Sequence, residues 1–460
     1  MQNWQNRNVI ILGAARQGLA LARYLTAQGA LVTISDQRSP AQLEQARQSL
    51  QGKNIRWVLG EHPFSLLEDA DLLCLSGGIP FTLPIVIEAQ RRGIPLSNDS
   101  QIFMQAAPCP VIGITGSAGK TTTTTLVGRI LQAAFMPEHT VWVGGNIGLP
   151  LIDLVGDIQP ADRVVLELSS FQLEQMTLSP QIAAVLNITP NHLDRHGTLE
   201  AYTAAKARIL DFQTPDSTAV LNREDPGSWN LHSRVRGRLV SFGLQRPQEA
   251  FQGAYVENGW CCLFDGQKTL RVVPLKDIQL RGEHNRLNIL AAFAIAFAAG
   301  CPVQAMIAGL QDFKGVKHRL EFVREYRGAY WYNDSIATAP ERTMAAVRSF
   351  DEPLLLLLGG RDKNLPWQDL AQMAVRRVDQ VVIFGEAAPL IEKALRDAQN
   401  GGKSPHIQVV SHLHEAVQAA AKVVTPGMVV LFSPGGTSFD EFKDFEERGE
   451  RYCEWVNQLS

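Results

Sequence analysis

A glycine-rich stretch in the first third of the chain constrains the fold more than any other feature. Residues 111–125 read VIGITGSAGKTTTTT, an apolar run that leads into a turn with a glycine at every third position and then into a threonine-rich segment. A strand, such a turn and a helix in this order predict an α/β domain whose turn amides and helix N-terminus cradle phosphate. We expect Lys120 to reach the outer phosphates and Thr121 to bind Mg²⁺.

This stretch departs from the Walker A pattern, because Ile114 stands where that pattern has its first glycine. An ordinary glycine-rich turn is the alternative. Five threonines at the start of a helix each cost up to roughly 0.7 kcal/mol of helix propensity relative to alanine. Roles as phosphate and metal ligands are the explanation for Thr121 and at most Thr122, and packing is the alternative for the other threonines. The candidate nucleotide-binding residues are Gly116, Ser117, Ala118, Gly119, Lys120, Thr121 and Thr122.

Composition sets the size and class of the protein. The chain has 460 residues, which predicts two to four domains, and its net charge of −3 gives no sign of a nucleic-acid partner. None of the six cysteines forms a Cys-x-x-Cys pair, which predicts a reduced, cytoplasmic protein without structural zinc. The sequence shows no signal-peptide layout and no apolar run of membrane-spanning length, so we expect no membrane insertion.

The succession of apolar runs and turns predicts three α/β domains, at 1–107, 108–314 and 315–460. The first reads as strand, tight turn at 13–18 and helix, which is typical of a Rossmann-like domain. The central one is a P-loop-type mononucleotide-binding domain with a small antiparallel patch around 254–274. The third alternates apolar strands with helices, which predicts a second Rossmann-like domain with a parallel sheet covered on both faces.

The ligand of the first domain stays open at this point. Ala15 stands where the dinucleotide fingerprint has its second glycine, which favours a nucleotide other than NAD. We expect Asp36 and Arg38 near the sugar or base of that ligand, and Gly78 in a loop at the ligand end of the sheet. An NAD-dependent oxidoreductase is the alternative, and it makes no use of Lys120.

Polar side chains also follow strands of the central domain. Glu167 ends a buried strand, where a carboxylate can hold Mg²⁺ beside a nucleotide; a helix cap is the alternative. His192 and His196 have zinc-like spacing, but neither an HExxH signature nor a cysteine accompanies them, which argues against a zinc site. Two interpretations of His192 remain: a ligand of a second Mg²⁺ ion, or an ordinary loop histidine. Lys206 lies on a predicted helix and by itself reads as a solvated surface lysine.

Several further motifs occur in a characteristic order. They are GITGSAGKTT from residue 113, GGNIG from 144, ELSSFQ from 167, NHLDRH from 191, AK from 205, GEHNRLN from 282, HR from 318 and NDS from 333. Together they resemble the Mur ligase family, ATP-dependent enzymes of cytoplasmic peptidoglycan precursor synthesis, over nearly the whole chain. The segments GGRDK from 359 and SPGGTSFDEFKDFE from 433 are similar to those of members that add D-glutamate to UDP-N-acetylmuramoyl-L-alanine.

The resemblance implies a reaction. ATP phosphorylates the terminal carboxylate of the muramoyl substrate, and the amine of D-glutamate attacks the acyl phosphate through a tetrahedral intermediate. Lys120, His192 and a carbamylated Lys206 are then the catalytic residues. The resemblance also implies two Mg²⁺ ions, held through Thr121, Glu167, His192 and the modified Lys206. The three domains in chain order then bind the UDP-linked substrate, ATP and the amino acid.

The resemblance further implies ligand contacts, which fall into three sets. They are Asn285, Asn288, Arg319 and Asp334 for ATP; Asp36, Arg38, Gly78, Asn146 and His192 for the UDP-linked substrate; and Thr338, Lys363, Ser438, Phe439 and Phe445 for D-glutamate. Ile336 stands where D-glutamate-adding members often have lysine, so a cation is absent there or supplied elsewhere. We expect a monomer. The alternatives are a family member that adds L-alanine, diaminopimelate or lysine, and a non-catalytic nucleotide-gated module.

Overall fold

A computed structural model describes residues 3–148, 150–248, 251–280, 282–399 and 404–460. Three β-sheets, of five, nine and six strands, follow one another along the chain. The residues form two compact units, Met1–Ile278 with Glu283–Gln311, and Gln279–Gly282 with Asp312–Ser460. The first unit contains the first two sheets, and the second unit contains the third. The predicted three-domain α/β fold is confirmed at the level of its sheets.

The first sheet is parallel throughout. Its strands are β1 Asn8–Leu12, β2 Leu31–Asp36, β3 Ile55–Leu59, β4 Leu72–Leu75 and β5 Leu96–Ser97, in the spatial order β3-β2-β1-β4-β5. Its helices are α1 Arg16–Ala27, α2 Glu44–Gln48, α3 Pro84–Arg91 and α4 Asp99–Ala106. Helix α1 begins inside the predicted turn, and Gly13, which follows β1, has φ 95°, a conformation that favours glycine.

The second sheet is parallel from β7 to β12 and antiparallel beyond. Its strands are β6 Val111–Thr115, β7 Val141–Gly145, β8 Arg163–Glu167, β9 Ile182–Val185, β10 Thr218–Asn222, β11 Arg238–Phe242, β12 Gln252–Glu257, β13 Trp260–Phe264 and β14 Thr269–Pro274. Its helices are α5 Lys120–Phe135, α6 Ser170–Leu173, α7 Leu193–His196, α8 Leu199–Asp211, α9 Pro226–Trp229, α10 Glu283–Ala298 and α11 Val303–Leu310. The order β14-β13-β12-β11-β10-β9-β6-β8-β7 places β6 between β8 and β9. The carboxyl ends of these three strands therefore meet at one edge.

One apolar cluster runs from the first sheet into the second. It includes Leu25 of α1, Phe103 of α4 and Leu151 and Ile152, all buried. Polar contacts cross the same boundary, where Nδ2 of Asn98 donates to the carbonyl oxygen of Gln172 at 2.8 Å. Two sheets that share a core and buried hydrogen bonds behave as one unit of structure.

Helix α10 is buried along most of its length, from Asn288 to Ala296. It packs against α5 and against β11, which explains why its sequence shows no polar face. Within the described ranges, none of the helices combines the length and the apolar character that crossing a bilayer requires.

The third sheet has helices on both faces. Its strands are β15 Glu321–Tyr326, β16 Ala329–Asn333, β17 Leu354–Gly359, β18 Gln380–Phe384, β19 His406–Val409 and β20 Val429–Gly435, in the order β15-β16-β20-β17-β18-β19. Its helices are α12 Pro340–Val347, α13 Gln368–Arg377, α14 Ala388–Asp397, α15 Leu413–Val423 and α16 Phe445–Gln458. Helices α12 to α14 contribute to one apolar cluster, and α15 and α16 to the other. The predicted parallel sheet gains one antiparallel edge strand, because a tight turn joins β15 to β16.

Candidate active site

The glycine-rich loop lies at the carboxyl end of β6, in the interior of the second sheet. Gly119 has φ 81°, and a Cβ on this residue would lie 2.2 Å from Oδ1 of Asn288. The left-handed backbone therefore favours glycine here, and a larger residue would also displace the Asn288 amide. Nζ of Lys120 donates to the carbonyl oxygen of Gly116 at 2.9 Å, so the ammonium group folds back over the loop. This arrangement places a cation and the N-terminus of α5 on the same concave surface.

A buried carboxylate faces the start of α5. Glu167 ends β8 and is 2% exposed. Its Oε2 accepts a hydrogen bond from Oγ1 of Thr121 at 2.9 Å, and its Oε1 accepts one from Nδ2 of Asn146 at 3.4 Å. Carboxylate and hydroxyl oxygens are ligands that suit Mg²⁺. No cluster of three His, Cys, Asp or Glu side chains in the described ranges could hold a metal alone. A metal ion at Glu167 would therefore depend on phosphate and water for most of its ligands.

Lys206 is buried beside the same loop. The prediction of a solvated surface lysine, made from its helical sequence pattern, is therefore wrong. Lys206 is 1% exposed, and its Nζ donates to the carbonyl oxygen of Gly116 at 3.0 Å and to Oγ1 of Thr115 at 3.4 Å. Burial holds the pKa of Lys206 well below its usual value, Lys120 lowers it further, and Glu167 raises it in part. The two lysine side chains thus share one carbonyl oxygen, that of Gly116.

The two histidines after β9 have different surroundings. His192 is exposed, has φ 53° and makes an edge contact with Phe171, with 5.2 Å between ring centroids. His196 lies flat against Phe171 at the same centroid distance, and its Nε2 lies 3.0 Å from Oγ of Ser170. His196 therefore serves packing, and His192 is the imidazole that a ligand can reach.

Asp36 and Arg38 lie at the carboxyl end of β2 in the first sheet. Nη2 of Arg38 lies 2.8 Å from Oδ2 of Asp36, which also accepts a hydrogen bond from the amide of Ala14 at 2.8 Å. Burial by itself raises the pKa of Asp36, but the hydrogen bonds from Arg38 and Ala14 outweigh it and lower the pKa to about 2. The Asp36 carboxylate already accepts a hydrogen bond from the turn after β1, so the half-exposed guanidinium of Arg38 is the group that a ligand can reach.

A cavity of about 470 Å³ lies beside this pair. Gln37, Glu61, His62, Leu83 and Ile85 line it. Nδ1 of His62 lies 2.7 Å from Oγ of Ser35, which fixes the ring against β2. The cavity has both apolar and hydrogen-bonding walls, a combination that suits a flat polar ring.

The candidate residues of the second unit lie around the carboxyl ends of β16, β17 and β20. Asp334 is 5% exposed, and its Oδ2 accepts a hydrogen bond from Oγ of Ser433 at 2.7 Å. Burial raises the pKa of Asp334 to about 7. The hydrogen bonds from Ser433 and Leu320 and the charges of Arg319 and Arg342 lower this pKa, but burial outweighs them. Nζ of Lys363 donates to Oγ1 of Thr338 at 3.3 Å. These two candidates for amino-acid binding are therefore in direct contact.

The segment after β20 carries the other candidates of this unit. Ser438 is buried, whereas Phe439 is 61% exposed. Phe445 begins α16, and its carbonyl oxygen accepts a hydrogen bond from Oγ of Ser335 at 2.8 Å. The structure thus joins this segment to the turn after β16.

Sequence reasoning missed Arg448, which is fully buried in α16. Its guanidinium donates to the carbonyl oxygens of Ser335 at 2.9 Å and Gly436 at 3.1 Å. Burial lowers the pKa of Arg448 to about 10. The sequence does contain one signal of close packing next to Arg448, which is the glycine at position 449 within a helix. A Cβ on Gly449 would lie 2.2 Å from Nδ1 of His318. Arg448 holds together the two loops that carry the amino-acid candidates.

Arg195 is a second residue that the sequence did not single out. Its Cζ lies 4.3 Å from the centroid of the Phe171 ring, and its Nη atoms donate to the carbonyl oxygens of Gly78 at 3.3 Å and Ile79 at 3.2 Å. Arg195 therefore attaches the Gly78 loop of the first sheet to the helix that follows His192.

Models of three protein domains match successive parts of the chain. The Mur ligase MurD-like N-terminal domain matches residues 7–98, the Mur ligase middle domain residues 114–296, and the Mur ligase glutamate ligase domain residues 318–436. The UDP-N-acetylmuramoylalanine--D-glutamate ligase of Symbiobacterium thermophilum is 40% identical over 98% of both chains. The protein of the same name from Pelotomaculum thermopropionicum is 38% identical over 100% of this chain and 99% of its own.

Solved structures share the fold at lower identity. The UDP-N-acetylmuramate-alanine ligase of Thermotoga maritima superimposes with a TM-score of 0.56 at 20% identity, over 98% of this chain and 99% of that one. The MurF ligase of Thermotoga maritima in complex with ADP gives a TM-score of 0.54 at 19% identity, over 99% of this chain and 95% of that one. On the strength of the full-length relatives, this chain belongs to the Mur ligase family.

Proposed function

We propose that this chain is an ATP-dependent ligase that joins D-glutamate to UDP-N-acetylmuramoyl-L-alanine in peptidoglycan precursor synthesis. One observation carries the proposal. A phosphate-type loop, a buried carboxylate and a buried lysine converge at one sheet edge, in a chain that is 40% identical over 98% of its length to a D-glutamate ligase. The proposed division of labour is UDP-substrate binding by 1–107, ATP binding by 108–314 and amino-acid binding by 315–460.

The proposed chemistry has to bring two anions together. The γ-phosphate of ATP and the substrate carboxylate repel each other, so cations have to lie between them. We propose Lys120 and the N-terminal amides of α5 as the groups that lower that repulsion; both belong to the glycine-rich loop region. Attack by a carboxylate oxygen on the γ-phosphorus releases ADP and leaves an acyl phosphate. The amine of D-glutamate then adds to the carbonyl carbon, and the tetrahedral intermediate collapses to the amide, inorganic phosphate and a proton.

Glu167 and Thr121 are the residues that we propose for Mg²⁺ binding beside the phosphates. Their oxygen atoms lie 2.9 Å apart and have the hard-donor chemistry that the ion prefers. When bound, Mg²⁺ neutralises phosphate charge and withdraws electrons from the phosphorus. We propose His192 and Lys206 as the residues for a second ion, with His192 reachable from solvent.

We propose that Lys206 acts in a carbamylated form. Nζ of an unprotonated lysine can bond to the carbon of CO₂ with release of one proton, and burial favours the unprotonated amine. Nζ of Lys120 and Nζ of Lys206 approach the same carbonyl oxygen, at 2.9 and 3.0 Å. Converting the Lys206 amine to a carbamate would place a negative group beside the Lys120 ammonium and supply oxygen ligands.

The remaining ligand contacts are proposals of the same kind. The ATP set is Asn285, Asn288, Arg319 and Asp334, the UDP-substrate set is Asp36, Arg38, Gly78, Asn146 and His192, and the D-glutamate set is Thr338, Lys363, Ser438, Phe439 and Phe445. The support is local geometry, such as the 3.3 Å contact of Lys363 with Thr338 and the cavity beside Asp36. The proposed acting form is a single chain in the cytoplasm.

The test is phosphate release from purified protein with UDP-N-acetylmuramoyl-L-alanine, ATP, Mg²⁺ and D-glutamate, each omitted in turn. We expect phosphate only when all four are present. Release with L-alanine, L-lysine or diaminopimelate and none with D-glutamate would identify a different ligase of the family. Nucleotide binding without any product would identify a non-catalytic module.

A further inference from the structure

The turn at 336–338 carries a positive group on each side. Nη1 of Arg342 lies 3.4 Å from the carbonyl oxygen of Ile336, and Nζ of Lys363 lies 3.3 Å from Oγ1 of Thr338. The amide of Thr338 donates to that same Ile336 carbonyl at 2.9 Å, which makes the turn tight. The guanidinium and the ammonium group are therefore held at the two ends of a three-residue turn.

These two cations differ from nearby Arg361 in their partners. Arg361 forms an ion pair with Glu386 at 2.7 Å. In the part of the chain that the structure describes, no comparable pair involves Arg342 or Lys363. Burial lowers the pKa of Lys363, and the charges of Arg342 and Arg448 lower it further. Three positive groups thus repel one another around the turn.

The nearest buried carboxyl compensates this charge only in part. Asp334 uses both of its oxygens locally, on Oγ of Ser433 and on the amide of Leu320. Its raised pKa, about 7, leaves it partly protonated at neutral pH. A negative group brought in by a ligand would therefore find two charged donors at the turn, which Asp334 compensates only in part.

We infer that Arg342, together with Lys363, binds a carboxylate of the acidic amino-acid substrate. The inference rests on the proposed function, and it assigns Arg342 the role of the cation that is missing at Ile336. Arg342 lies in the first turn of α12, from which its side chain returns to the Ile336 carbonyl. A guanidinium presents two parallel N–H groups, which fit the two oxygens of a carboxylate better than a single ammonium group does.

The test is steady-state kinetics of Arg342→Ala, with Arg348→Ala at the other end of α12 as the matched control. We expect the KM for D-glutamate to rise about 10- to 100-fold, the usual effect of losing a charged hydrogen bond. The KM values for ATP and for UDP-N-acetylmuramoyl-L-alanine should stay within about twofold of wild type. An unchanged KM for D-glutamate overturns the inference. A rise in the KM for ATP instead assigns the cation to a nucleotide phosphate.

Two further variants separate charge from structure. Arg342→Gln can keep the hydrogen bond to Ile336 but loses the charge, so its KM for D-glutamate should match that of Arg342→Ala. Adding Ile336→Lys to Arg342→Ala restores a cation at the turn and should recover part of the loss. A normal KM in Arg342→Gln, with an unchanged unfolding temperature, limits Arg342 to a structural role. If wild-type protein fails to release phosphate with D-glutamate, the proposed function fails instead.

Discussion

The loop at 116–121 and the turn at 336–338 arrange their charges in opposite ways. At the loop, Lys120 and Lys206 both donate to the carbonyl oxygen of Gly116, and the buried carboxylate Glu167, which accepts from Thr121, raises the pKa of Lys206. At the turn, Arg342 and Lys363 have only neutral oxygens as partners among the contacts that the described residues show. A compensated, buried site is organised before substrate arrives, whereas an uncompensated one needs the charge of its ligand.

This difference predicts which kinetic constant each region controls. Groups fixed in advance act on charge that develops during the reaction, so their loss lowers kcat. Groups whose charge is satisfied only by a bound ligand act on its binding, so their loss raises KM. The following predictions test the contrast, from the largest expected effect to the smallest.

Lys120→Ala should lower kcat by about 1,000-fold, because it removes the cation nearest the proposed phosphate site. The KM for D-glutamate should change little, since Lys120 belongs to the first region. Phosphate release measures both constants. A large rise in the KM for D-glutamate with kcat preserved would contradict the contrast between the two regions.

Lys206→Ala should lower kcat by about 100-fold, with partial recovery when a small carboxylic acid is added. The added acid would replace the proposed carbamate. Glu200→Gln, an exposed change on the same helix, is the control and should keep wild-type activity. Full activity in Lys206→Ala would refute the carbamate proposal.

Arg448→Ala should destabilise the second unit by about 3 kcal/mol, because it leaves buried carbonyl oxygens without donors and opens a cavity. Arg451→Ala on the same helix should cost less than about 0.5 kcal/mol, since its pair with Glu454 is exposed. Urea unfolding monitored by tryptophan fluorescence measures both. Equal effects would mean that Arg448 does not organise the loops around the turn.

The two units should respond to pH with opposite signs. The pKa of Asp36 is lowered to about 2, so its contribution to stability is present above about pH 4 and is lost as the pH falls towards 2. The pKa of Asp334 is raised to about 7, so the folded state binds the extra proton, and stability falls as the pH rises from about 4 to 7. Each effect is at most on the order of 2–4 kcal/mol.

Urea unfolding of Asp36→Asn and Asp334→Asn at several pH values checks these signs. Asp36→Asn should lower stability at neutral pH, flatten the loss of stability below pH 4 and leave the slope in the neutral range unchanged. Asp334→Asn should flatten the decline between pH 4 and 7. A steeper decline in Asp334→Asn would show that burial does not dominate at this carboxyl.

Local patterns explain how much of the fold was predictable from the sequence. The phosphate loop, the apolar strands β17, β18 and β20 and the antiparallel patch each depend on residues close together in the chain. The antiparallel pairing of β15 with β16 was not predicted, because the strand-like pattern of residues 321–326 does not specify an orientation.

The site was predictable where its chemistry lies on one motif. Glu167 beside Thr121 follows because β6 and β8 are adjacent parallel strands, so the residue that ends β8 lies near the loop and helix that follow β6. The burial of Lys206 does not follow, because it depends on how α8 packs against the phosphate loop. Arg195, Arg342 and Arg448 were missed for the same reason, since each contacts backbone oxygens that no side-chain pattern marks.

The most direct test of the account is the mass of the UDP-linked product after incubation with UDP-N-acetylmuramoyl-L-alanine, ATP, Mg²⁺ and an equal mixture of D-glutamate, L-glutamate, L-alanine, L-lysine and diaminopimelate. Isotope labelling of D-glutamate alone identifies its transfer. The account predicts a single product that carries one labelled glutamyl residue. An unlabelled product, or no product at all, would contradict it.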